Sequence, residues 1–199
     1  MDDARLFRMF GFFVEREFLQ RDECARIRSA MDGADAEAAG VVHEGDIILD
    51  RELRSTARLE VDDAWRGLID ARLAPMRARL EQHFRATLEG WQEPQFLRYA
   101  AGDFFRVHAD TSDVDHAPDF LRERKISTVV FLGHPGDGDG SGAGGDLVFY
   151  ELIDDPRMHD RGFAFPHDEG TLLAFPSTVP HEVTTVTSGR RYSVATWFY

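Results

Sequence analysis

The sequence predicts an α+β chain dominated by β-structure. One long apolar stripe at helical spacing lies in the first half of the chain. After Gly90 the texture changes to short β-prone runs, separated by Gly, Pro and Asp clusters. Those runs recur often enough to build a sandwich or barrel. The chain has 199 residues, 43% of them hydrophobic, with 16 Phe. One domain over 1–199 is therefore expected, with 1–90 as helical and strand support and 91–199 as the β core.

In chain order, residues 6–14 (Leu6, Phe7, Met9, Phe10, Phe12, Phe13, Val14) read as a short buried strand. A helix opens around Phe18-Leu19 and runs to about Met31, with Cys24, Ile27 and Met31 at spacings of three and four. The stretch from Gly33 to Gly40 is loop, and 41–49 and 55–61 read as strands. Asp62 or Asp63 can cap a long helix along which Trp65, Leu68, Ile69, Met76, Leu80, Phe84 and Leu88 make one apolar stripe. Pro75 should kink or split that helix. It carries no chemistry and serves to cover a sheet face. Strands are expected over 95–100, 104–109, 126–132, 147–152, 171–174, 182–186 and 191–198. The segments 111–124, charged, and 133–145, glycine-rich, are the long connections, and both are placed to cap a site.

Formal net charge is −13 and the pI is near 5.0. Such a surface repels phosphate backbones, so no nucleic-acid partner is expected. If the acidity selects any partner, it selects a basic peptide. Cys24 is the only cysteine, which excludes an intrachain disulfide and a thiolate zinc site; it reads as a small core residue. The apolar run Phe10 to Val14 is too short for a signal peptide or a membrane span, so no membrane is expected and a reducing cytoplasm is the default location. The sequence does not define an oligomeric state.

The chemistry-bearing residues converge on Arg106-Val107-His108-Ala109-Asp110. A His and an Asp two residues apart on an extended strand point to the same side. His181 follows a polar turn and precedes another strand, and it completes a set of two imidazoles and one carboxylate. That set leaves coordination positions open and suits Fe(II) better than a closed zinc site; a manganese cupin-like site remains open. Arg191 starts the final strand. Counting by two puts Ser193, Ala195 and Trp197 on its face, with Tyr192, Val194, Thr196 and Phe198 opposite. A guanidinium facing inward needs an anion, and it pairs with a carboxylate in bidentate fashion. Arg190 would then face out. The remaining histidines, His43, His83, His116, His134, His159 and His167, read as surface or loop residues.

Residues 95–199 carry an ordered set of motifs. They are Tyr99-x-x-Gly102-Asp103-x-x-x-x-His108-x-Asp110, Gly144-Gly145-Asp146-Leu147-x-Phe149, Gly170-Thr171-Leu172-Leu173-Ala174-Phe175, His181-Glu182-Val183, Gly189-x-Arg191-Tyr192 and a terminal Trp197. In order and spacing this set resembles the 2-oxoglutarate- and Fe(II)-dependent dioxygenases, in their prolyl 4-hydroxylase-like branch. The resemblance implies a double-stranded β-helix (jelly roll) core with supporting N-terminal helices. It implies Fe(II) held by His108, Asp110 and His181, with the distal carboxylate of 2-oxoglutarate on Arg191 and a hydrogen bond to the co-substrate from Tyr99. It also brings in molecular oxygen and, as an accessory, ascorbate. Thr128, Phe131 and Trp197 are implied as pocket residues. Phe131 stands where many relatives carry a Tyr, and Thr128 or Ser127 would have to replace that hydrogen bond.

The resemblance implies hydroxylation of an aliphatic C–H, on a prolyl or other residue of a polypeptide. The same chemistry on a free amino acid or small metabolite is the alternative. A cupin-like metal-binding protein keeps the fold without needing Arg191, and a structural sandwich needs no metal. The chain ends at Tyr199, directly after the last expected strand, so no appended peptide-binding domain is expected.

Overall fold

The computed structural model describes residues 3–43, 46–48, 50–113, 117–133, 143–166 and 168–199. In chain order the elements are α1 (Asp3–Met9), β1 (Phe13–Glu15), α2 (Arg21–Asp32), β2 (Ala36–Ala38), β3 (Val41–His43), β4 (Asp46–Ile48), β5 (Arg54–Ser55), β6 (Ala57–Leu59) and α3 (Asp63–Phe84). Then come β7 (Gln95–Ala100), β8 (Phe104–His108), α4 (Asp119–Arg122), β9 (Ile126–Phe131), β10 (Leu147–Phe149), β11 (Phe163–Ala164), β12 (Leu172–Pro176), β13 (His181–Val183) and β14 (Arg190–Phe198).

A larger sheet runs in the order β1-β12-β9-β14-β7-β6-β2, and a smaller one in the order β11-β10-β13-β8-β5. The strand pairs are antiparallel in both. β3 and β4 form a separate hairpin. This is the expected jelly roll, mainly β with few helices.

The larger sheet is covered on both faces, and the alternation of its strands says how. On β14, Tyr192, Val194 and Phe198 join the cluster that includes Ile27, Met31, Ile69, Leu73 and Leu80 of α2 and α3. Ala195 and Trp197 face the other way, into a cluster with Leu147, Phe149 and Val183 of the smaller sheet. On β12, Leu172 and Ala174 face the helices while Leu173 and Phe175 face the second sheet. Period-two alternation thus sends one strand's residues into two cores.

Several expectations are corrected, among them the loop at 33–40, where Ala36–Ala38 forms β2 and pairs with β6 at the edge of the larger sheet. Residues 6–14 are not one strand: α1 occupies Asp3–Met9, and Gly11 (φ 82°) turns the chain into β1. Phe7 and Phe12 are both buried, whereas Leu6 and Met9 are exposed. A short apolar run does not by itself distinguish strand from helix. Nor does Pro75 split α3, which runs unbroken through it. A helix-interior proline costs about 3 kcal/mol. Burying Ile69, Leu73, Met76 and Leu80 outweighs it, at roughly 1.5–3 kcal/mol for each such side chain. Asp62 caps this helix, its carboxylate accepting from the Ala64 N–H.

The expected strand at 55–61 divides at Thr56. β5 pairs with β8 in the smaller sheet and β6 with β7 in the larger one. The Thr56 hydroxyl donates to the Arg98 carbonyl at that crossing. The stretch 41–49 is the β3–β4 hairpin, with residues 44, 45 and 49 outside the described set. Most of the glycine-rich 133–145 connection also lies outside the described residues, as do His116, His134 and His167.

Candidate metal and co-substrate site

The smaller sheet brings the candidate ligands together. His181 on β13 lies directly opposite His108 on β8, and their ring centroids are 4.3 Å apart. Asp110 falls just beyond the end of β8. Its N–H donates to the Ser177 carbonyl at 2.9 Å, which ties it to the turn that precedes β13. One ligand atom from each of His108, Asp110 and His181 lies within 4.8 Å of the others. His108 Nε2 is 3.6 Å from Asp110 Oδ1, and His181 Nε2 is 3.5 Å from Oδ2. Among the described residues no other such group occurs, and neither His83 nor His159 joins it.

The surroundings fix the form each ligand takes. His108 Nδ1 lies 2.8 Å from the Arg106 carbonyl, and His181 Nδ1 lies 2.9 Å from the Val179 carbonyl. A carbonyl only accepts, so each Nδ1 carries the proton and each Nε2, the nitrogen near Asp110, keeps its lone pair. Ser127 donates to Asp110 Oδ2 at 2.7 Å and has Ser177 Oγ at 3.0 Å behind it. Burial alone would raise the Asp110 pKa. His181, His108 and Ser127 outweigh it and hold this carboxyl well below the usual carboxylate range. Burial pushes His181 down to about 4; neighbouring His108 adds to this and Asp110 opposes it. At neutral pH the set therefore offers a neutral imidazole at His181 and a carboxylate at Asp110, the forms a divalent cation takes.

Two expected outcomes follow. In metal-free protein the folded state resists protonating His181 while the unfolded chain accepts the proton. Stability should therefore fall as pH drops from the ordinary histidine value of 6.5 toward about 4. Urea midpoints measured from pH 7 to pH 4 should show that slope, and His181→Gln should flatten it. Ser127→Ala removes the support of Asp110 together with the contact to Ser177, and should weaken Fe(II) binding by about 10–100-fold in a metal titration.

The triad opens into a cavity of about 680 Å³ between the sheets, within the range of small-ligand sites. Tyr99, Thr128, Arg191 and Trp197 line it, as do Ser193 and Ala195, so the counted face of β14 does point inward. Phe131 does not line the cavity. It packs behind it against Phe165, 5.8 Å from the Arg191 Cζ. Thr128 lines the cavity, but its hydroxyl donates to the Thr196 carbonyl. The Ser127 hydroxyl is engaged with Asp110, so neither hydroxyl is left over for a co-substrate.

Arg191 is 2% exposed and stands opposite Tyr99, its Cζ 5.1 Å from that ring. It donates to Ser193 Oγ at 2.9 Å, while its Nε is buried without a hydrogen-bond partner. Among the described residues no carboxylate reaches it at ion-pair distance. Burial disfavours its charge and pushes its pKa down, with Tyr99 and Asp146 opposing. Arg190, by contrast, faces out and pairs with Asp32 at 2.8 Å.

The glycine pair before β10 has a physical reason. Gly145 has φ +73°, and a Cβ there would meet Arg191 Cδ at 3.1 Å and Val186 Cγ2 at 2.9 Å. Gly145→Ala should therefore displace the Arg191 side chain and raise the 2-oxoglutarate needed for half-saturation by about tenfold, equivalent to ~1.4 kcal/mol. Gly102 (φ +93°) has nothing within 4 Å of its Cβ position. Gly102→Ala is thus the control in a 2-oxoglutarate titration, carrying only the left-handed backbone strain of ~1–2 kcal/mol.

Sequence reasoning missed two residues around this site, Arg124 and Arg54, and gave a third, Ser127, the role of a co-substrate partner instead of a support for Asp110. Ser127 supports Asp110 from 17 residues away, as the hydrogen bond between them records. Arg124 donates to the Asp110 carbonyl and to Gln92 Oε1, and stacks 3.7 Å over Trp197. Burial pushes the Arg124 pKa down to about 10, the Asp110 charge opposes this, and the Arg54 charge adds to it. Arg54 lies 4.5 Å over Phe105, which itself stacks on His108 at 3.5 Å. Nothing in the local sequence singled out the two arginines in so arginine-rich a chain.

A mononuclear non-haem oxygenase demands three ligands on one side, open positions on the other and an anchor for an organic acid, and this cavity offers all of them. The comparisons agree. The chain belongs to the 2OG-Fe(II) oxygenase superfamily, whose model matches residues 94–199. It is 33% identical over 106 residues to a PKHD-type hydroxylase of Psychrobacter sp. (strain PRwf-1), and 37% identical over 105 residues to one of Caulobacter vibrioides. Each alignment covers 52% of this chain, and 36% and 41% of those relatives. The chain thus spans well under half the length of these relatives. A Pseudomonas putida prolyl-4-hydroxylase structure has the same fold, with TM-score 0.68 and 23% identity, over 94% of this chain and 91% of that one. A prolyl hydroxylase from Trichoplax adhaerens, solved with a hypoxia inducible factor peptide fragment, gives TM-score 0.64 and 18% identity, over 99% and 90%.

Membership implies Fe(II) and 2-oxoglutarate, and with them molecular oxygen. The residues present fit both. Two imidazoles and a carboxylate form the donor set, and a buried guanidinium with an orphaned Nε awaits an anion. No helix among the described residues is long and apolar enough to cross a membrane.

Proposed function

We propose that this chain is a prolyl 4-hydroxylase-like enzyme that hydroxylates an aliphatic C–H on a peptidyl residue. His108, Asp110 and His181 hold the Fe(II). Arg191 holds the distal carboxylate of 2-oxoglutarate, with Tyr99 beside it. The observation that carries this reading is that the triad and a buried arginine without a carboxylate partner among the described residues line one cavity. The names of the relatives as hydroxylases support it. Residues 1–199 act as one domain, since α2 and α3 share a core with the larger sheet. The single buried Cys24 suits a reducing cytoplasm.

When bound, iron and co-substrate supply the oxidising power, with 2-oxoglutarate and O2 giving succinate, CO2 and one oxygen atom for the substrate. The protein supplies position. Two backbone carbonyls hold the imidazole tautomers, and Ser127 holds the carboxylate. The Arg191 fork sets the direction from which the co-substrate enters. Leu147, Val183, Ala195 and Trp197 give the cavity apolar walls, which keep water from the reacting centre. The reaction needs no protein base, so none is assigned. A peptide is favoured by the exposed Leu53, Val107 and Phe120 at the cavity rim. The cavity volume also suits a free amino acid or small metabolite.

The test needs no substrate. Fe(II) and then 2-oxoglutarate are added anaerobically, and the weak visible charge-transfer band of a chelated 2-oxo acid is sought. The band should form in the wild type, vanish in His108→Ala and need far more 2-oxoglutarate in Arg191→Ala. Iron bound without the band would overturn this reading in favour of a cupin-like one.

A further inference from the structure

Arg191 is spoken for by the co-substrate, yet Arg54, Arg106 and Arg124 line the same cavity. In a chain of net charge −13 that concentration is unexpected. Arg58, also on the wall, lies 3.6 Å from Glu60 and 3.5 Å from Glu93. Among the described residues, no carboxylate lies within ion-pair distance of the other three. The acids on the described wall are Glu37 and the ligand Asp110.

Neutral groups hold these arginines in place. Arg54 donates to the Gly40 carbonyl at 3.2 Å and lies over Phe105. Arg106 lies 4.4 Å over Phe104, and Arg124 rests on Trp197 and Gln92. Such contacts orient a guanidinium without an ion pair, although the nearby Asp110 charge acts on Arg124. Arg54 Nε is buried with no hydrogen-bond partner. Its ring partner Phe105 stacks directly on His108, so a group bound at Arg54 stands one ring away from the triad. The rim adds an apolar component. Five large hydrophobic side chains are exposed among the described residues, and three of them, Leu53, Val107 and Phe120, line this cavity.

We propose that the substrate is an organic acid whose carboxylate is bound by Arg54, with Arg124 as the second guanidinium, while its apolar body lies on Leu53, Val107 and Phe120. This rests on the oxygenase reading and names its substrate class. The carboxylate belongs to an acidic peptide or to a free acid. The overall acidity, which by itself would favour a basic target, acts weakly here because exposed charges are screened beyond about 8–10 Å at ordinary salt.

Binding is measured by calorimetry, anaerobically, with Fe(II) and saturating 2-oxoglutarate so that Arg191 is already occupied. The probes are N-acetylproline against N-acetylprolinamide, and end-blocked pentapeptides with glutamate, glutamine or lysine after a central proline. The acid in at least one series should bind about tenfold or more tighter than its neutral partner, as charge-assisted hydrogen bonds do. Lysine should bind weakest. Arg54→Met, shown folded by circular dichroism, should erase the preference, and Arg54→Lys should keep part of it. The series that responds tells a peptide from a free acid. Absence of charge preference, absence of acid binding, or a preference unchanged in Arg54→Met would overturn the proposal. If the 2-oxoglutarate band fails while the acid preference holds, the oxygenase reading falls and the acid site survives.

Discussion

His108→Ala is expected to lower 2-oxoglutarate turnover by on the order of a thousandfold or more. On the proposed assignment, removing one of three protein ligands would take away several kcal/mol of metal-centred stabilisation, and each ~1.4 kcal/mol is tenfold. His181→Ala and Asp110→Ala should behave alike, because one candidate ligand atom from each residue lies within 4.8 Å of the others and none has a substitute among the described residues. The losses should not add: a double variant should be no worse than either single one, as for residues that act as a unit. Iron content after gel filtration, measured beside succinate formation, separates loss of metal from loss of fold. Asp110→Asn is the sharper variant. It keeps the volume and an acceptor for Ser127 but removes the charge that burial would otherwise oppose. Full turnover in His108→Ala with iron still bound would sink the assignment.

The strands that carry Tyr99 and Arg191 were legible because two faces of one sheet leave a period-two record, whereas β13 runs His181–Val183 where 182–186 was expected. β7 occupies 95–100 as expected, and β14 differs from expectation by one residue at its start, within ordinary end-fraying. The inward direction of Arg191 came from the same counting. The N-terminus was less legible. Leu6 to Val14 is apolar throughout, so no period distinguishes α1 followed by β1 from a single strand. Thr56 gave no warning that the chain changes sheets there, since that depends on its hydroxyl meeting the Arg98 carbonyl. Around the metal, the candidate ligands were legible as residue types able to bind a cation. Arg54 was not, and Ser127 was read as a partner of the co-substrate and not of Asp110, because serine and arginine are ordinary surface residues until the fold places them. Phe131 shows the opposite failure: a position taken from a motif lies behind the cavity wall, not on it.

Arg191→Met should separate a co-substrate anchor from a structural arginine, because the two roles predict opposite signs. As an anchor, loss of the guanidinium removes one partner of a buried charge pair, a cost of about 2–5 kcal/mol. The 2-oxoglutarate needed for half-saturation should therefore rise by roughly 30-fold or more, with a smaller effect on turnover at saturation. Arg191→Lys should fall between, since a point charge cannot make the bidentate contact. Stability should move the other way. Without co-substrate Arg191 is a buried cation with an orphaned Nε, and burial acts against its charge. A well-packed Met removes that penalty, so the variant should unfold at an equal or higher urea concentration. Adding 2-oxoglutarate with Fe(II) should then stabilise the wild type by mass action and leave the variant nearly unmoved over the same range. A variant that loses several kcal/mol of stability with no co-substrate present would mark Arg191 as a structural residue. The anion its geometry calls for would then have to be found within the protein.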